Sequence, residues 1–431
     1  MQQLVPSRIN RRTAIQLGVL GGGLTLSQFL RATAAGAGEP QDSSRSAVLV
    51  FLKGGPSHQD TFDLKPDAPS EYRGTFRPIK TTVPGMQICE HLPALANQAK
   101  HYSIVRGITH NLADHGIGTT YLLTGNRPTP TVEYPMYGSV VSHQFPSRPE
   151  LPSFVSIDRP LEGPGFLGPE FGPLSTGEKP RHGVPFRVRG ISLDEGMTIE
   201  RYRSRRALNE DLDTFFADRL ESDPQVRGMD RFSRQAFEMI SSPRSRAAFD
   251  LQQEPHSEVD RFGTHEFGQS LLMTARLIEA GVRFVTVILE DWDTHQDNFN
   301  QLAGRLLPQL DQSLSAFLER LRQRGRFEST SIMVTGEFGR TPKVNDKSGR
   351  DHWARAMTAI LAGGGIQTGQ VAGATDATAS EPEGTGFTPD DLAATFYRSI
   401  GIDPKHEFTA NVGRPITLVR DGQPITDLLR S

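Results

Sequence analysis

The sequence contains a single cysteine, Cys89, among 431 residues. This excludes an internal disulfide and a cysteine-based zinc cluster, so any metal would have to be bound by histidine and carboxylate side chains. An excess of charge of one sign is also lacking, because 47 Lys and Arg residues stand against 50 Asp and Glu residues, a formal net charge of −3. Without a basic surface, the chain is not expected to bind nucleic acid.

The N-terminal segment predicts export. Arg11 and Arg12 precede an uncharged stretch over residues 14–30, and Ala32 and Ala34 provide the small residues that a signal peptidase accepts. We interpret residues 1–34 as a twin-arginine signal, recognised by the twin-arginine export machinery, which predicts a periplasmic or extracellular protein. A membrane-spanning helix is the alternative, but this stretch is Gly-rich and shorter than the roughly 20 apolar residues that a span needs. No stable membrane span is expected after the signal is removed.

The remaining chain has the composition of a globular protein, with 36% hydrophobic and 23% charged residues. We predict a linker over residues 35–45 and a single domain over 46–431. Continuous apolar runs at 46–52, 102–106, 282–289 and 331–335 indicate buried strands, separated by stretches of helical spacing. The predicted fold is therefore α/β, with a mostly parallel central sheet flanked by helices on both faces.

Acidic residues and histidines follow each of these four runs. The residues concerned are His58, Asp60 and Asp63 after the first run, His110, Asp114 and His115 after the second, Asp291, Asp293 and His295 after the third, and Glu337, Arg340, Asp351 and His352 after the fourth. In one loop alone such residues are ordinary turn formers. Because ligands of parallel sheets bind beyond the carboxyl ends of the strands, four such loops predict one convergent metal site. Its ligands would suit Zn, Mn, Fe or Ca.

Other segments give simpler predictions. Residues 160–185 are rich in Gly and Pro and predict a long ordered loop or lid. Residues 204–249 and 300–324 have the spacing of amphipathic helices, and 371–386, which lack periodicity, predict a mobile surface loop. Trp292 and Trp353 flank ligand candidates and either stack on a sugar or pack in the core.

Several motifs resemble those of known families. Residues 119–128 resemble the signature helix of sulfatases, and 293–295, 334–339 and 351–352 resemble the metal-ligand segments of the alkaline phosphatase superfamily. More closely, residues 54–63, 292–295, 336–342 and 349–353 together look like the exported family called domain of unknown function 1501. This resemblance covers nearly all of the mature chain and implies a sulfatase-like fold, whereas the substrate of that family is not established.

The chain departs from the sulfatase pattern at the nucleophile. In that pattern the nucleophilic Cys or Ser would fall at His115, and its neighbouring Arg at Thr119. His115 could ligate metal or attack phosphorus directly, and Thr119 offers a nearby hydroxyl, although a threonine near a helix start is more often a cap. A further route needs no protein nucleophile, since a bound metal lowers the pKa of water.

Three functions compete at this point. The first is an exported metal-dependent hydrolase of phosphate or sulfate esters, acting on a small molecule or a polysaccharide. Its metal ligands would be His58, Asp60, Asp293, His295, Glu337, Asp351 and His352, with His115 as ligand or nucleophile. Arg340 would clamp the anionic group, unless it forms an ion pair with Glu337 or Asp351. The second is a catalytically degenerate binding or structural protein of the cell envelope, and the third is a metal-dependent mutase.

Overall fold

The core of the fold is a sheet of short apolar strands, as the sequence predicts. The structure, a computed structural model, describes residues 45–145, 148–186, 188, 201, 238–409 and 415–430. Their strands are β1 Ser46–Leu52, β2 Pro78–Lys80, β3 Gln87–Cys89, β4 Tyr102–Ile108, β5 Phe154–Ser156, β6 Leu174–Ser175, β7 Phe284–Leu289, β8 Thr330–Thr335, β9 Gly339–Arg340, β10 His352–Trp353, β11 Met357–Gly363, β12 Val371–Ala372, β13 Glu407–Thr409 and β14 Pro415–Thr417.

Eight of these strands form the central sheet, in the order β12-β4-β11-β8-β1-β7-β5-β6. β1 lies in the middle and pairs in parallel with β7 on one side and β8 on the other. Only β11 runs against its neighbours β4 and β8. The predicted mostly parallel sheet is confirmed, and the carboxyl ends of β1, β4, β7 and β8 lie at the same edge.

Helices pack on both faces of this sheet. They are α1 Ser70–Arg73, α2 Pro93–Asn97, α3 His115–Thr124, α4 Tyr137–Gln144, α5 Pro243–Phe249, α6 His256–Phe262, α7 Glu266–Ala280, α8 Asn298–Gln301, α9 Leu307–Gln323 and α10 Pro389–Ile400. Val48, Val50 and Leu52 of β1 belong to one buried cluster, with residues of α6, α7 and α9. Ala47, Leu49 and Phe51 belong to the other, with residues of α3, α4 and α10. Alternate residues of a strand point to opposite faces, so both faces of the sheet are buried.

The amphipathic pattern over 300–324 is confirmed in a modified form. The helical path begins at α8, passes through a π-helical turn at Leu302–Leu306 and continues as α9. Pro308 lies at the junction of the π-helical turn and α9, and because it has no N–H it cannot donate to a carbonyl of the preceding turn.

The prediction of a surface loop over 371–386 is corrected. Its first residues form β12, which pairs with β4, and Ala379 is fully buried. The carbonyl of Ala379 accepts a hydrogen bond from His58 Nε2 at 2.8 Å, and Trp353 Nε1 donates to the carbonyl of Ser380 at 2.7 Å. These two contacts tie the segment to the ends of β1 and β10.

Two predicted segments lie partly or wholly outside the described residues. The signal over 1–34 is wholly outside and stays a prediction, as does the helical pattern up to residue 237, beyond which α5 begins. Residues 160–185 do form a long connection, containing two short 3-10 turns and edge strand β6. Within the described part of the chain, every helix is too short or too polar to cross a membrane.

Candidate metal centre

Four segments that leave the sheet at one edge carry the candidate site. They are the turn after β1, the start of α3 after β4, the loop after β7 and the segment between β8 and β10. The turn after β1 depends on Gly54, whose φ of 119° is unfavourable for other residues, and a Cβ there would lie 2.4 Å from the backbone nitrogen of Asp293. The turn therefore lies directly against the loop after β7.

The start of α3 places His115 at this edge. Asp114 is the N-cap residue, and its side chain accepts hydrogen bonds from the backbone N–H groups of Gly116 and Ile117. At the other end Gly125 adopts the left-handed conformation that closes the helix. The residue after the cap, His115, is therefore held by regular helix geometry. The cap is an aspartate, so the capping alternative for Thr119 does not apply.

Three histidines and one aspartate meet at this edge, and we call His115, Asp293, His295 and His352 the His/Asp centre. Nε2 of His352 lies 3.0 Å from Nε2 of His295 and 3.2 Å from Oδ1 of Asp293. Nε2 of His295 lies 3.1 Å from the same oxygen, and Nε2 of His115 lies 3.3 Å from Oδ2 of Asp293. All four predicted residues are thus brought together.

The other ring nitrogen of each histidine has an acceptor. Nδ1 of His352 donates to the backbone carbonyl of Ala113 at 2.9 Å, an oxygen that cannot donate in return. Nδ1 of His115 lies 2.7 Å from Oε1 of Glu337, and Nδ1 of His295 lies 2.6 Å from Oδ1 of Asp351. Because these acceptors hold a proton on Nδ1, the Nε2 atoms face the centre, where each can donate a proton to Asp293 or present its lone pair to a metal.

This concentration of acceptor atoms is the chemical property of the centre. Lone pairs of His295 and His352 that face each other at 3.0 Å, beside a carboxylate, repel unless a proton or a metal cation lies between them. The hydrogen bond to Glu337 raises the pKa of His115 against the lowering effect of burial. Burial raises the pKa of Asp293, but Arg340, His352 and His115 outweigh it and lower that pKa to about 2.

The donor set fits a divalent transition metal. Ligand atoms bound tetrahedrally at about 2.0–2.1 Å, as in zinc sites, are about 3.4 Å apart. The 3.0–3.2 Å separations among His295, His352 and Asp293 are close to that spacing. One ligand atom from each of His115, Asp293 and His352 lies within 4.8 Å of the other two, so these residues could share one ion. Imidazole nitrogens suit Zn and Fe, and the Asp293 carboxylate also suits Mn, whereas Ca prefers oxygen ligands throughout.

Glu337 and Asp351, both predicted as ligands, contact histidines of the centre instead. The Glu337 side chain is fully buried, and its two oxygens accept from the backbone N–H of Gly54 at 2.9 and 3.1 Å. The hydrogen bond from His295 lowers the pKa of Asp351, which keeps that carboxylate ionised. Each carboxylate therefore orients an imidazole from outside the ring of candidate ligands.

Arg340 does not take the predicted role of an anion clamp. Its side chain is fully buried, and it forms an ion pair with Asp293 rather than with the predicted Glu337 or Asp351. Its Nε donates to the carbonyl of Gly55 at 2.8 Å, and its Nη1 donates to that of Arg350 at 3.0 Å. With the guanidinium donors engaged by protein atoms, Arg340 orients Asp293.

His58 and Asp60 are also placed differently from the prediction. Both are fully buried in a 3-10 turn after β1. Nε2 of His58 pairs with the carbonyl of Ala379, and burial lowers the pKa of His58, which favours the neutral ring. Asp60 forms a buried ion pair with Arg350 at 2.7 Å. The charge of Asp60 is therefore neutralised by Arg350 rather than at the centre, and sequence spacing cannot reveal this pairing.

The remaining predicted residues are peripheral. Thr119 lies one helical turn beyond His115 and is partly exposed. Trp292 is fully buried, which supports core packing rather than sugar stacking. Gly54, Ala113, Thr294 and Asn298 also contribute to the site, but the sequence reasoning noted Gly54 and Thr294 only as parts of motifs and did not single out Ala113 or Asn298. Gly54 and Ala113 contribute backbone atoms, for which no side-chain signal exists.

Comparison with known proteins gives one family match. The family described as "Protein of unknown function (DUF1501)" matches residues 44–429. No curated protein matches the sequence.

Solved structures that match this chain include Ps i-CgsB in complex with k-i-k-neocarrahexaose (TM-score 0.39, 10% identity, 83% of this chain and 72% of that one). The PsFucS1 sulfatase from Pseudoalteromonas sp. gives a TM-score of 0.38 at 12% identity, over 93% and 74% of the two chains. The phosphonate monoester hydrolase SpPMH from Silicibacter pomeroyi gives 0.33 at 12%, over 89% and 76%. Scores of this size support no shared activity.

Proposed function

The chain belongs to the DUF1501 family, and we propose that it is an exported metal-dependent hydrolase of phosphate or sulfate esters, with a small molecule or a polysaccharide as the ester substrate. The observation that carries the proposal is the convergence of three imidazole Nε2 atoms and the Asp293 carboxylate at one edge of the sheet. A divalent transition metal held by these atoms would lower the pKa of water and polarise an ester oxygen.

The protein's own residues would prepare that site. Glu337, Ala113 and Asp351 hold the Nδ1 protons of the three histidines, so that the Nε2 lone pairs stay directed at the centre. Arg340 holds Asp293 ionised, since the pKa of its carboxyl is lowered to about 2. Because Nδ1 of His115 is hydrogen-bonded to Glu337, we assign His115 the role of a metal ligand rather than of the attacking group.

The decisive experiment is metal analysis of the full mature chain, purified without chelator, by plasma mass spectrometry. We expect zinc, manganese or iron at near-stoichiometric amounts in the wild type and its loss in His115→Ala/His352→Ala. His256 is exposed at the start of α6, so His256→Ala is the matched control, and this variant should keep the bound metal. A folded wild type without metal would refute the proposal.

Hydrolysis is tested with chromogenic aryl phosphates and aryl sulfates on the metal-loaded protein. Turnover that saturates with substrate and disappears in the double variant would support the hydrolase. A metal-loaded protein inactive on both ester classes would instead support a binding role in the cell envelope. The Arg340 guanidinium is fully buried and each of its nitrogens is bonded to protein atoms, which favours that second function because it keeps this arginine away from an anionic substrate.

Export is a separate part of the proposal and rests on Arg11, Arg12 and the small residues at Ala32 and Ala34. The full chain is expressed in a bacterium with a twin-arginine pathway and the cell fractions are separated. We expect a shortened chain in the periplasm or medium, and retention of Arg11→Lys/Arg12→Lys in the cytoplasm. Equal export of both proteins would refute a twin-arginine route.

A further inference from the structure

Asp60 contacts two of the segments that carry the His/Asp centre, the one before β10 and the one after β7, and we propose that it is a positioning residue for that centre. Its carboxylate is fully buried and accepts four hydrogen bonds, two from Arg350, one from Ser57 and one from Asn298. The inference rests on the proposed metal site, because it states what fixes the relative placement of the ligands.

The first connection runs to His352. Nε and Nη2 of Arg350 donate to the two oxygens of Asp60 at 2.7 and 3.0 Å, a bidentate arrangement of planar groups. Arg350 is followed directly by Asp351 and His352. Asp60 thereby fixes the backbone from which one ligand and the partner of a second ligand project.

The second connection runs to Asp293 and His295. Nδ2 of Asn298 donates to Oδ2 of Asp60 at 2.9 Å, and Oδ1 of Asn298 accepts from the hydroxyl of Thr294 at 2.6 Å. Thr294 lies between the two ligand candidates of this loop. A short chain of two hydrogen bonds therefore joins the Asp60 carboxylate to the loop after β7.

The two segments also interlock through their backbones. The N–H of Arg350 donates to the carbonyl of Thr294 at 3.0 Å, and Nδ2 of Asn345 donates to the carbonyl of His295 at 2.9 Å. A Cβ on Gly349 would lie 2.0 Å from that carbonyl oxygen of His295. The Asp60 carboxylate hydrogen-bonds to both segments of this contact, to one through Arg350 and to the other through Asn298.

The Arg350 side chain cannot move without breaking hydrogen bonds. Beyond Asp60, its donors are used by the carbonyls of Thr341, Pro342 and Tyr72, and the side chain is fully buried. Removing the carboxylate leaves a buried guanidinium without a counter-charge, and the local structure must shift to solvate it. A shift of a few tenths of an ångström in either segment changes the separations of the Nε2 atoms, on which metal affinity depends.

The test measures metal affinity rather than activity. Zn²⁺ is titrated into the metal-free full chain in competition with a chromophoric chelator, at a temperature where circular dichroism shows each variant folded. We expect Asp60→Asn to raise the dissociation constant about 10- to 100-fold, as for other groups that orient metal ligands. Thr294→Val, which removes only the hydroxyl of the second connection, should raise it about 3- to 10-fold and serves if Asp60→Asn does not fold.

A matched control separates positioning from general destabilisation. Glu254→Gln makes the same acid-to-amide change at a buried carboxylate paired with the buried Arg320, in a network between helices α7 and α9. It should lower the stability to a similar degree and leave the dissociation constant within twofold. This pattern supports the inference.

The outcomes against the inference are distinct from those against the proposed function. Wild-type affinity in folded Asp60→Asn and Thr294→Val, with metal bound as in the wild type, overturns the positioning role and leaves the metallohydrolase standing. Equal loss of affinity in Glu254→Gln also overturns it, because the effect is then one of stability. Absence of zinc, manganese and iron binding by the folded wild type overturns both.

Discussion

The substitution Glu337→Gln tests whether the Glu337 carboxylate prepares His115 to bind a metal. Oε1 of Glu337 contacts both the N–H of Gly54 and Nδ1 of His115. In the variant the amide oxygen can keep the Oε1 position and accept from both groups, whereas the amide NH₂ takes the Oε2 position beside Gly54. The substitution therefore removes the negative charge that favours a proton on Nδ1 of His115 and makes Nε2 a more basic metal ligand.

The magnitude follows from the loss of one orienting carboxylate. Outer partners of metal-bound histidines typically contribute 10- to 100-fold in affinity, which corresponds to about 1.4–2.7 kcal/mol. Because the amide still satisfies Gly54, we expect the metal-free protein to unfold in urea at a midpoint close to that of the wild type. The defect should appear in the Zn²⁺ dissociation constant.

The assay is chelator competition at pH 7.5, with Glu290→Gln as the control. Glu290 precedes the loop after β7, is 45% exposed and pairs with Lys53 and Lys179. The control should bind Zn²⁺ with wild-type affinity. A dissociation constant of Glu337→Gln within twofold of the wild type would refute the contribution of the Glu337 charge to metal binding by His115.

Three further predictions concern stability. Burial lowers the pKa of His110 from 6.5 to about 4, so the unfolded chain takes up the proton first. The contribution of His110 to stability should be constant above pH 6.5 and decrease by up to about 3 kcal/mol toward pH 4. Urea titrations at pH 7.5 and 4.5 should therefore show a smaller decrease in His110→Gln than in the wild type. Arg320→Met leaves the carboxylates of Glu254 and Glu279 without their buried partner and should cost about 3–5 kcal/mol by the same method, whereas an unchanged midpoint would contradict this network. Gly349→Ala places a Cβ against the His295 carbonyl and should lower the free energy of unfolding by about 1–3 kcal/mol. The melting temperature should fall and Zn²⁺ binding should weaken. Wild-type values of both would show that the two segments do not interlock.

The sequence alone determined the sheet and the place of the site. Continuous apolar runs such as 282–289 predict strands buried on both faces, because only a covered parallel sheet removes every side chain of a strand from water. The rule that ligands bind beyond the carboxyl ends of such strands then brings His115, Asp293, His295 and His352 to one edge. Strand periodicity and topology are local and general properties, so they could be derived without coordinates.

Only the tertiary structure decided the role of each charged residue at that edge. Asp60, Arg340 and Glu337 have the chemistry of ligands or clamps and, like the members of the centre, follow the carboxyl end of a strand. Their partners are 47 to 290 positions away in the chain. Because a buried charge must be neutralised by whatever the fold places beside it, the division between metal ligands and the residues that hold them is fixed by packing, which no spacing rule encodes.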